Sequence, residues 1–226
     1  MITLKNISKS FGHIKVLKDI NFQFEEGKTY GIVGENGAGK TTLFKCITGL
    51  EKCTGSVKSN LVPIKNYLGY LETEPFFFEK MTGREYIQML CNARDIKKND
   101  FEAKNIFDLP LNQYAETYST GMKKKLALTA ILLQQNDCFI LDEPFNGVDI
   151  QSNLIIIEII KELKKLNKTI LISSHIFSTL SDCCDEIILL SEGVFSKVVK
   201  PDQFGDFENE MNKRTIGNSI SKLELS

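Results

Sequence analysis

One stretch of this sequence combines glycines, a lysine and a hydroxyl at the spacing that binds phosphate. GENGAGKT, residues 34–41, has two glycines separated by four residues, with Lys40 and Thr41 directly after the second glycine. Glycines permit a tight turn whose backbone N–H groups surround an anion, and a helix start behind the loop adds positive potential. Lys40 then reaches the terminal phosphates, and the Thr41 hydroxyl can ligate Mg²⁺. The alternative is a glycine-rich turn without a ligand, but the predicted strand before the loop and helix after it favour the phosphate site.

Two acidic residues and a histidine follow apolar strands further along the chain. CFILDE, residues 138–143, carries Asp142 to the carboxyl end of a buried strand, where ligands gather in open α/β sheets. Asp142 is predicted to hold Mg²⁺, directly or through water, and Glu143 to orient or deprotonate the attacking water. His175 ends the strand TILISS, from which a contact with the γ-phosphate is sterically reasonable. Solvated acids and a structural histidine are the alternatives that these residues alone leave open.

The stretch YSTGM, residues 118–122, places three small residues before a basic helix. Ser119 and Thr120 are typical helix caps, so a simple helix start is one interpretation. In the other interpretation, these residues present bare N–H groups to an anion from outside. The lysines at 123–125 are predicted to form a solvated helix face. On this stretch alone, both interpretations of the helix start stay open.

The elements that must position these residues alternate between strands and helices. Apolar and polar residues alternate over residues 2–24, which predicts β structure ahead of the phosphate loop. The helical stretch from Met81 to Leu133 interrupts the β/α alternation, so we predict an α/β sheet with a helical insertion. From Pro201 to Ser226 the pattern is polar, which predicts a loosely attached tail with room for one short helix. Further strands are predicted at residues 29–34, 67–72, 138–142, 169–174 and 186–193, and helices at residues 40–50, 84–94, 100–109, 149–166 and 177–184 and after Gly121.

Composition limits the class of protein. The chain has 226 residues, 42% hydrophobic and 25% charged, which suits one large domain or one domain with a subdomain. A formal charge of −1 lacks the basic excess that nucleic acid requires. The six cysteines show no metal-ligand spacing and indicate buried apolar residues in a reducing compartment. No apolar window reaches the length of a membrane span, so we expect a cytosolic chain that does not cross a membrane itself.

The order and spacing of these motifs resemble one family, the ATP-binding cassette (ABC) ATPases. The resemblance extends to about Val199, with GENGAGKT as Walker A, CFILDE as Walker B, FNGVD as the D-loop and His175 as the switch histidine. It implies an α/β fold with a P-loop NTPase core, an N-terminal antiparallel β part and an inserted α-helical subdomain. The implied bounds are 1–200 for the ATPase domain, about 74–135 for the inserted subdomain and 201–226 for the C-terminal tail.

The resemblance also assigns roles to single residues. Phe11 in SFGHIKVL matches the position that stacks on adenine, and such aromatic–base stacking contributes about 1–3 kcal/mol in nucleic-acid binders. The implied catalytic residues are Glu143 and His175, the implied Mg²⁺ ligands are Thr41, Asp142 and Thr73, and the residues implied to bind ATP are Phe11, Val16, Asn36, Gly37, Ala38, Gly39, Lys40, Thr41, Thr42, Ser119, Gly121 and Asp149.

YSTGM stands where the family has its signature, usually written LSGGQ. By resemblance, Ser119 and the Gly121 N–H bind the γ-phosphate of ATP held by the opposite subunit, which favours the ligand interpretation of this helix start. Thr120 replaces the first signature glycine, and we expect little loss from that change. Thr73 in YLETEP stands where the Q-loop usually has glutamine. Its shorter reach leads us to expect weak or partner-dependent ATPase activity.

The leading hypothesis is an ATP-binding and ATP-hydrolysing subunit that powers a separate membrane permease through ATP-driven dimerisation. The implied cofactors are ATP and Mg²⁺. The implied partners are a second copy or a paralogous cassette and an integral-membrane permease, with no nucleic acid. The implied location is the cytoplasm, peripheral on the inner face of the cell membrane. The alternative is a soluble, non-transport ABC ATPase of regulatory, ribosome-associated or DNA-associated type, whereas a P-loop kinase or GTPase leaves YSTGM unexplained.

Overall fold

The N-terminal part of the chain is an antiparallel sheet of three strands. The structure is a computed structural model and describes residues 1–97 and 100–210. β1 (Ile2–Phe11) lies between β2 (Ile14–Phe24) and β4 (Thr54–Ser59), and both neighbours run antiparallel to it. Ile2, Leu4 and Ile7 of β1 are buried, so one face of this sheet packs on the core, as the alternating sequence pattern predicts.

A six-stranded sheet forms the centre of the protein. Its strands are β3 (Thr29–Val33), β5 (Leu68–Leu71), β6 (Cys138–Asp142), β7 (Thr169–Ser174), β8 (Glu186–Ser191) and β9 (Val194–Val199). They lie in the order β5-β6-β7-β3-β8-β9, and all neighbours are parallel except β8 and β9. Because parallel strands end at the same edge, the carboxyl ends of β6, β7 and β3 lie side by side. The phosphate loop follows β3, Glu143 follows β6 and His175 follows β7, while Asp142 is the last residue of β6.

Helices cover both faces of the central sheet. They are α1 (Lys40–Thr48), α2 (Gly83–Asn92), α3 (Thr120–Leu133), α4 (Ile150–Lys165) and α5 (Phe177–Ser181). Within residues 1–97 and 100–210, no helix is long and apolar enough to cross a membrane. Alternation along β6 shows the two faces: Cys138 and Ile140 pack with α1 and the N-terminal sheet, whereas Phe139 and Leu141 pack with α3 and α4.

One predicted helix is wrong. Residues 100–109 contain only a 3₁₀ turn at Glu102–Lys104. The reason is the Asn105 side chain, whose Oδ1 accepts the Leu109 N–H at 3.0 Å and whose Nδ2 donates to the Leu109 carbonyl at 2.8 Å. Side chains of this kind compete with the helical backbone for its hydrogen bonds. Strands β4 and β9 were not predicted, because each is stabilised by pairing with another strand. β4 pairs with β1, far away along the chain, and β9 pairs with β8 across a turn.

The short helix allowed for in the tail is present, but the prediction of loose attachment is wrong for residues 201–210. Residues 204–210 are helical, and Phe204 and Phe207 are buried. Their ring centroids lie 5.7 Å and 5.4 Å from that of Phe177 in α5. Two aromatic rings three residues apart on one helix face therefore fasten this segment to the domain. The rest of the predicted tail, 211–226, lies outside the described residues.

Replacing Phe207 with Ala should destabilise the fold by about 3 kcal/mol, because a buried aromatic ring is lost from a packed contact. Urea denaturation measures the free energy of unfolding. Phe76→Ala is the matched control, since Phe76 is 68% exposed, and its effect should stay within about 0.5 kcal/mol. Equal stability of Phe207→Ala and the unchanged protein would contradict the docking of this segment.

Candidate active site

A cleft of about 520 Å³ opens where the carboxyl ends of β3, β6 and β7 meet. Its walls come from five separate parts of the chain, which only the folded sheet brings together. The lining residues are Phe11, Val16, Glu35, Asn36, Gly37, Gly39, Lys40, Thr41, Thr42, Thr73, Glu143, Asn146 and His175. A site with a lysine, several hydroxyls and backbone N–H groups on one side, and a carboxylate with a histidine on the other, suits a phosphate anhydride.

The loop between β3 and α1 is shaped by left-handed backbone angles. Gly37 and Gly39 have φ values of 85° and 105°, which residues with a Cβ rarely adopt. No side chain caps the start of α1, so its first N–H groups face the cleft for an anion to accept. The buried Lys40 folds back into the loop, where its Nζ donates to the Gly34 carbonyl at 2.7 Å. The loop therefore has the form of an anion-binding nest.

Asp142 is fully buried at the end of β6 and accepts three hydroxyl hydrogen bonds. Thr41 Oγ1 and Thr73 Oγ1 donate to its Oδ2 at 2.6 Å and 2.7 Å, and Ser173 Oγ donates to its Oδ1 at 2.5 Å. The three predicted Mg²⁺ ligands thus meet at one carboxylate oxygen, and Thr73 reaches it despite being shorter than glutamine. In the described part of the chain no cluster of three or more His, Cys, Asp or Glu is arranged for a metal. One carboxylate with hydroxyls still fits Mg²⁺, which takes oxygen ligands and completes its shell with phosphates and water.

Glu143 adopts a left-handed backbone conformation with φ 50° and points its carboxylate into the cleft. Oε2 lies 2.9 Å from Nδ1 of His175, and Oε1 lies 3.2 Å from Nζ of Lys40. Oε1 is buried and has no well-aligned hydrogen bond, so its contact with Lys40 is an ion pair of charge only. The Glu143 N–H donates to Ser173 Oγ at 2.9 Å. Sequence reasoning missed Ser173, although Ser173 is the residue that β7 places opposite Asp142.

Phe11 stands at the rim of the cleft with about half of its surface exposed. The Lys9 ammonium lies 4.6 Å from the centre of the Phe11 ring, a cation–π contact. Lys9 is itself held by Glu51 at 2.8 Å. An exposed aromatic ring beside Val16 offers a flat apolar surface next to the phosphate loop.

The start of α3 lies outside this cleft and has a simple cap. Ser119 Oγ accepts the Met122 N–H at 3.3 Å, so the structure contains the helix cap that the sequence left open. Ser119 and Thr120 are exposed, while Gly121 is buried. A Cβ on Gly121 would lie 2.6 Å from the carbonyl oxygen of Gly147. The close approach of these two segments is therefore sufficient reason for a glycine here, without any ligand.

Asp149 caps α4 and likewise lies outside the cleft. Its carboxylate accepts the Ser152 N–H at 2.9 Å and pairs with Lys125 at 3.1 Å. The Ser152 backbone and hydroxyl, together with Lys125, hold the pKa of Asp149 well below its usual range. The carboxylate is thus charged and fixed near the start of α3.

The prediction of a solvated lysine face is wrong for Lys124, which is only 2% exposed. Its Nζ donates to the carbonyls of Glu143 at 2.7 Å and Asn146 at 3.0 Å, and burial lowers its pKa. Helical spacing carried the signal that was missed. Lys124, Leu128 and Ile131 recur at intervals of four and three residues, and the two apolar members are buried.

A family model for the ABC transporter matches residues 17–146. The chain belongs to the ABC transporter family. The ABC transporter ATP-binding protein NatA of Bacillus subtilis (strain 168) is 32% identical to this cassette over 214 residues, covering 85% of the chain and 87% of NatA. The bacitracin transport ATP-binding protein BcrA of Enterococcus faecalis is 34% identical over 209 residues, covering 85% and 67%.

Solved structures agree with this assignment. One described as the ATP-binding subunit of an ABC transporter is 26% identical, covers 94% of this cassette and 93% of its own chain, and has a TM-score of 0.78. The dimeric cassette MJ0796, bound to ADP and Pi, is 22% identical with a TM-score of 0.81, covers 89% and 99%, and shares the fold. The predicted fold class, the family and the function as an ATPase subunit of a transporter are therefore confirmed. None of these relatives favours the non-transport alternative.

The cassette brings most predicted site residues together in the cleft, but not all of them. Asp142 forms its floor behind Thr41 and Thr73, and Ala38 belongs to the phosphate loop without lining the cleft. The predicted residues that do not line the cleft of their own chain, besides Asp142 and Ala38, are Ser119, Gly121 and Asp149.

Proposed function

We propose that the cassette binds Mg²⁺–ATP in this cleft and hydrolyses it with Glu143 as the base, in an ATP-bound dimer that drives a separate permease. The observation that carries the proposal is the meeting of Lys40, Glu143 and His175 in one cleft beside an anion-binding loop, with Asp142 bound to Thr41 at its floor. The ATPase domain would comprise residues 1–200, with its helical subdomain at about 74–135.

Binding of ATP would use the two ends of the cleft for different parts of the molecule. Phe11 would stack on the adenine and Val16 would pack beside it, at about 1–3 kcal/mol for the aromatic stack. The loop from Asn36 to Gly39 and the first residues of α1, including Thr42, would donate N–H groups to the phosphates. Lys40 would exchange the Gly34 carbonyl and Glu143 for phosphate oxygens, because a doubly charged phosphate attracts an ammonium more strongly than one carboxylate does.

Mg²⁺ would be held through Thr41 and Asp142, with Thr73 as a further hydroxyl ligand. When bound, the ion neutralises charge on the phosphate oxygens. Asp142 already accepts hydrogen bonds from both threonines, so the hydroxyls need only rotate their protons away to present lone pairs. The presence of a hydroxyl at position 73 supports some activity without a glutamine there.

Hydrolysis requires a base that holds an attacking water. When the Lys40 ammonium moves to the phosphates, Glu143 Oε1 would lose its ion-pair partner and could accept a proton from water. His175 Nδ1 holds the other oxygen, Oε2, which fixes the orientation of the carboxylate. The other ring nitrogen of His175, Nε2, would then be available to contact the γ-phosphate.

A second copy, or a paralogous cassette, would complete each site. Ser119 is exposed at an N-terminus of positive potential and does not line the cleft of its own chain. In a head-to-tail dimer, Ser119 and the Gly121 N–H of one chain would meet the γ-phosphate bound by the other, with Asp149 beside them. The neighbour MJ0796, which shares the fold, is described as a dimer.

The permease would dock on an exposed aromatic pair close to the nucleotide. Phe76 and Phe78 are 68% and 51% exposed, and their rings meet edge to face at 5.1 Å. They follow Thr73, which donates to Asp142, by only three and five residues, so movement of Thr73 at the Mg²⁺ site would be passed on to this surface. An exposed aromatic pair is typical of an interface. The cassette would then sit in the cytoplasm, on the inner face of the membrane.

Glu143→Gln should lower ATP hydrolysis by about 10²–10⁴-fold, because the amide keeps the shape of the side chain but cannot accept the proton. ATP affinity should persist, and the dimer should accumulate in ATP. Steady-state phosphate release measures the first effect, and sedimentation in ATP the last. Hydrolysis at the original rate would place the base elsewhere.

Ser119→Arg should leave ATP binding by the monomer nearly intact while removing ATP-driven dimerisation and most hydrolysis, since a long side chain blocks the helix N–H groups. Lys40→Ala should lose high-affinity ATP binding. Mixing the two inactive variants should restore some activity, because a mixed dimer contains one intact phosphate loop facing one intact Ser119. Normal hydrolysis by monomeric Ser119→Arg would exclude the composite site.

The double variant Phe76→Ser, Phe78→Ser should keep the ATPase rate of the isolated cassette within about twofold, as exposed substitutions generally do. The fraction of the cassette that sediments with membranes of its own cells should fall sharply. Leu166→Ser is the control, because Leu166 is equally exposed at 67% but lies directly after α4, far along the chain from Phe76 and Phe78. Unchanged membrane binding of the double variant would contradict this docking surface.

A further inference from the structure

Lys124 is the one fully buried lysine of the 123–125 run, and its contacts lead to Glu143. The side chain is 2% exposed, and its ammonium donates to two backbone carbonyls, at 2.7 Å to Glu143 and at 3.0 Å to Asn146. Burying an ammonium is costly unless it is well paired. A methionine of similar length would fill the same space without burying a charge, so packing alone does not explain the lysine.

The reason for the lysine lies in the backbone of Glu143. Its φ of 50° is unusual for a residue with a Cβ, and such a conformation persists only where neighbouring groups hold it. The Glu143 N–H donates to Ser173 Oγ at 2.9 Å. The Glu143 C=O accepts a hydrogen bond from Lys124 at 2.7 Å and a longer one from the Asn146 N–H at 3.2 Å, so Lys124 binds the carbonyls at both ends of this turn. Without Lys124, the carbonyl keeps only the longer hydrogen bond from Asn146, so the turn that aims the carboxylate at His175 is held less firmly.

The same lysine connects Glu143 with the start of α3. Lys124 lies one turn after Gly121, whose Cα approaches the Gly147 carbonyl closely. Next to it, Lys125 pairs with Asp149 at 3.1 Å. The first turns of α3 therefore contact the segment from Glu143 to Asp149 at three points. Of these three contacts, only that of Lys124 reaches Glu143.

We propose that Lys124 is a positioning residue for ATP hydrolysis: its ammonium holds the Glu143 carbonyl and thereby aims the Glu143 carboxylate at the attacking water. The inference rests on the proposed role of Glu143 as the base. Lys124 does not line the cleft, so it acts through Glu143 and not on ATP.

The test replaces the ammonium while keeping the stem. Lys124→Met has nearly the same length and packs in the same space, but it cannot donate a hydrogen bond. It should lower kcat by about 10–100-fold, as a displaced catalytic group does, while the dissociation constant of ATP changes by less than about threefold. Lys161→Met on the exposed face of α4 is the matched control and should hydrolyse ATP like the unchanged cassette. A wild-type kcat for Lys124→Met overturns the proposal.

A double-mutant cycle separates positioning from a general structural role. In the Glu143→Gln background, Lys124→Met should cause no further loss of kcat beyond about twofold, because the group that it positions is already gone. The same fold loss in both backgrounds would mean that Lys124 acts independently of Glu143, which overturns the proposal. Circular dichroism and the melting temperature confirm that each variant is folded.

Lys124→Gln keeps the inference testable if the methionine variant does not fold. Its amide can still donate a hydrogen bond, but it is uncharged and its stem is shorter. Its kcat should therefore lie below that of the unchanged cassette and, where the methionine variant can be measured, above that of the methionine variant. A Gln variant that hydrolyses ATP at the wild-type rate overturns the proposal. If Glu143→Gln itself is fully active, the proposed base is wrong and this inference falls with it. If Glu143→Gln is inactive and Lys124→Met is fully active, only the inference fails.

Discussion

The carboxylate of Asp142 has no contact with solvent, and the whole cleft is arranged around it. A charge in that position is tolerable only if donors replace the water that it has lost. The donors are hydroxyls from three different elements: Thr41 on α1, Thr73 after β5 and Ser173 on β7. Because each hydroxyl must lie within hydrogen-bond distance of one carboxylate, Asp142 fixes the phosphate loop, the segment after β5 and the end of β7 relative to one another.

Glu143 depends on the same arrangement. Ser173 donates to Asp142 and accepts from the Glu143 N–H, so one hydroxyl orients both acids. The left-handed turn at Glu143, which costs about 1–3 kcal/mol in a residue with a Cβ, reverses the direction of the chain directly after β6. As a result, neighbouring residues point in different directions: Asp142 into the floor and Glu143 across the cleft to His175 and Lys40.

The segment that follows these acids links two surfaces with different partners. Residues 143–149 contact α3 through Lys124, Gly121 and Lys125, and α3 begins at the exposed Ser119. Gly121 therefore satisfies two demands with one residue. Its lack of a Cβ permits the contact with Gly147 inside the chain, and in the proposed dimer it would also leave the helix start open to ATP bound by the other chain. A motif chosen for one of these reasons would look the same in the sequence as a motif chosen for the other.

Sequence alone was sufficient for the features that depend on neighbours along the chain. The phosphate loop, the apolar strands of the central sheet and the helix from Ile150 need only local spacing, and β3 and β6 read as continuous apolar runs because both faces of the sheet are covered. The family resemblance added further residues of the cleft, Phe11 and Thr73, which no local pattern singles out.

Tertiary structure decided the features that depend on which residue lies opposite a given side chain in the fold. The Asn105 side chain took the hydrogen bonds of a predicted helix, Phe177 offered Phe207 a place to pack, and two carbonyls made a buried position acceptable for Lys124. A polar or charged side chain has several possible partners, and its sequence neighbours do not reveal which of them lies near. Apolar residues at helical or strand spacing all seek the same environment, the core, so their positions follow from the sequence, whereas a polar residue takes its role from the one group that the fold places opposite it.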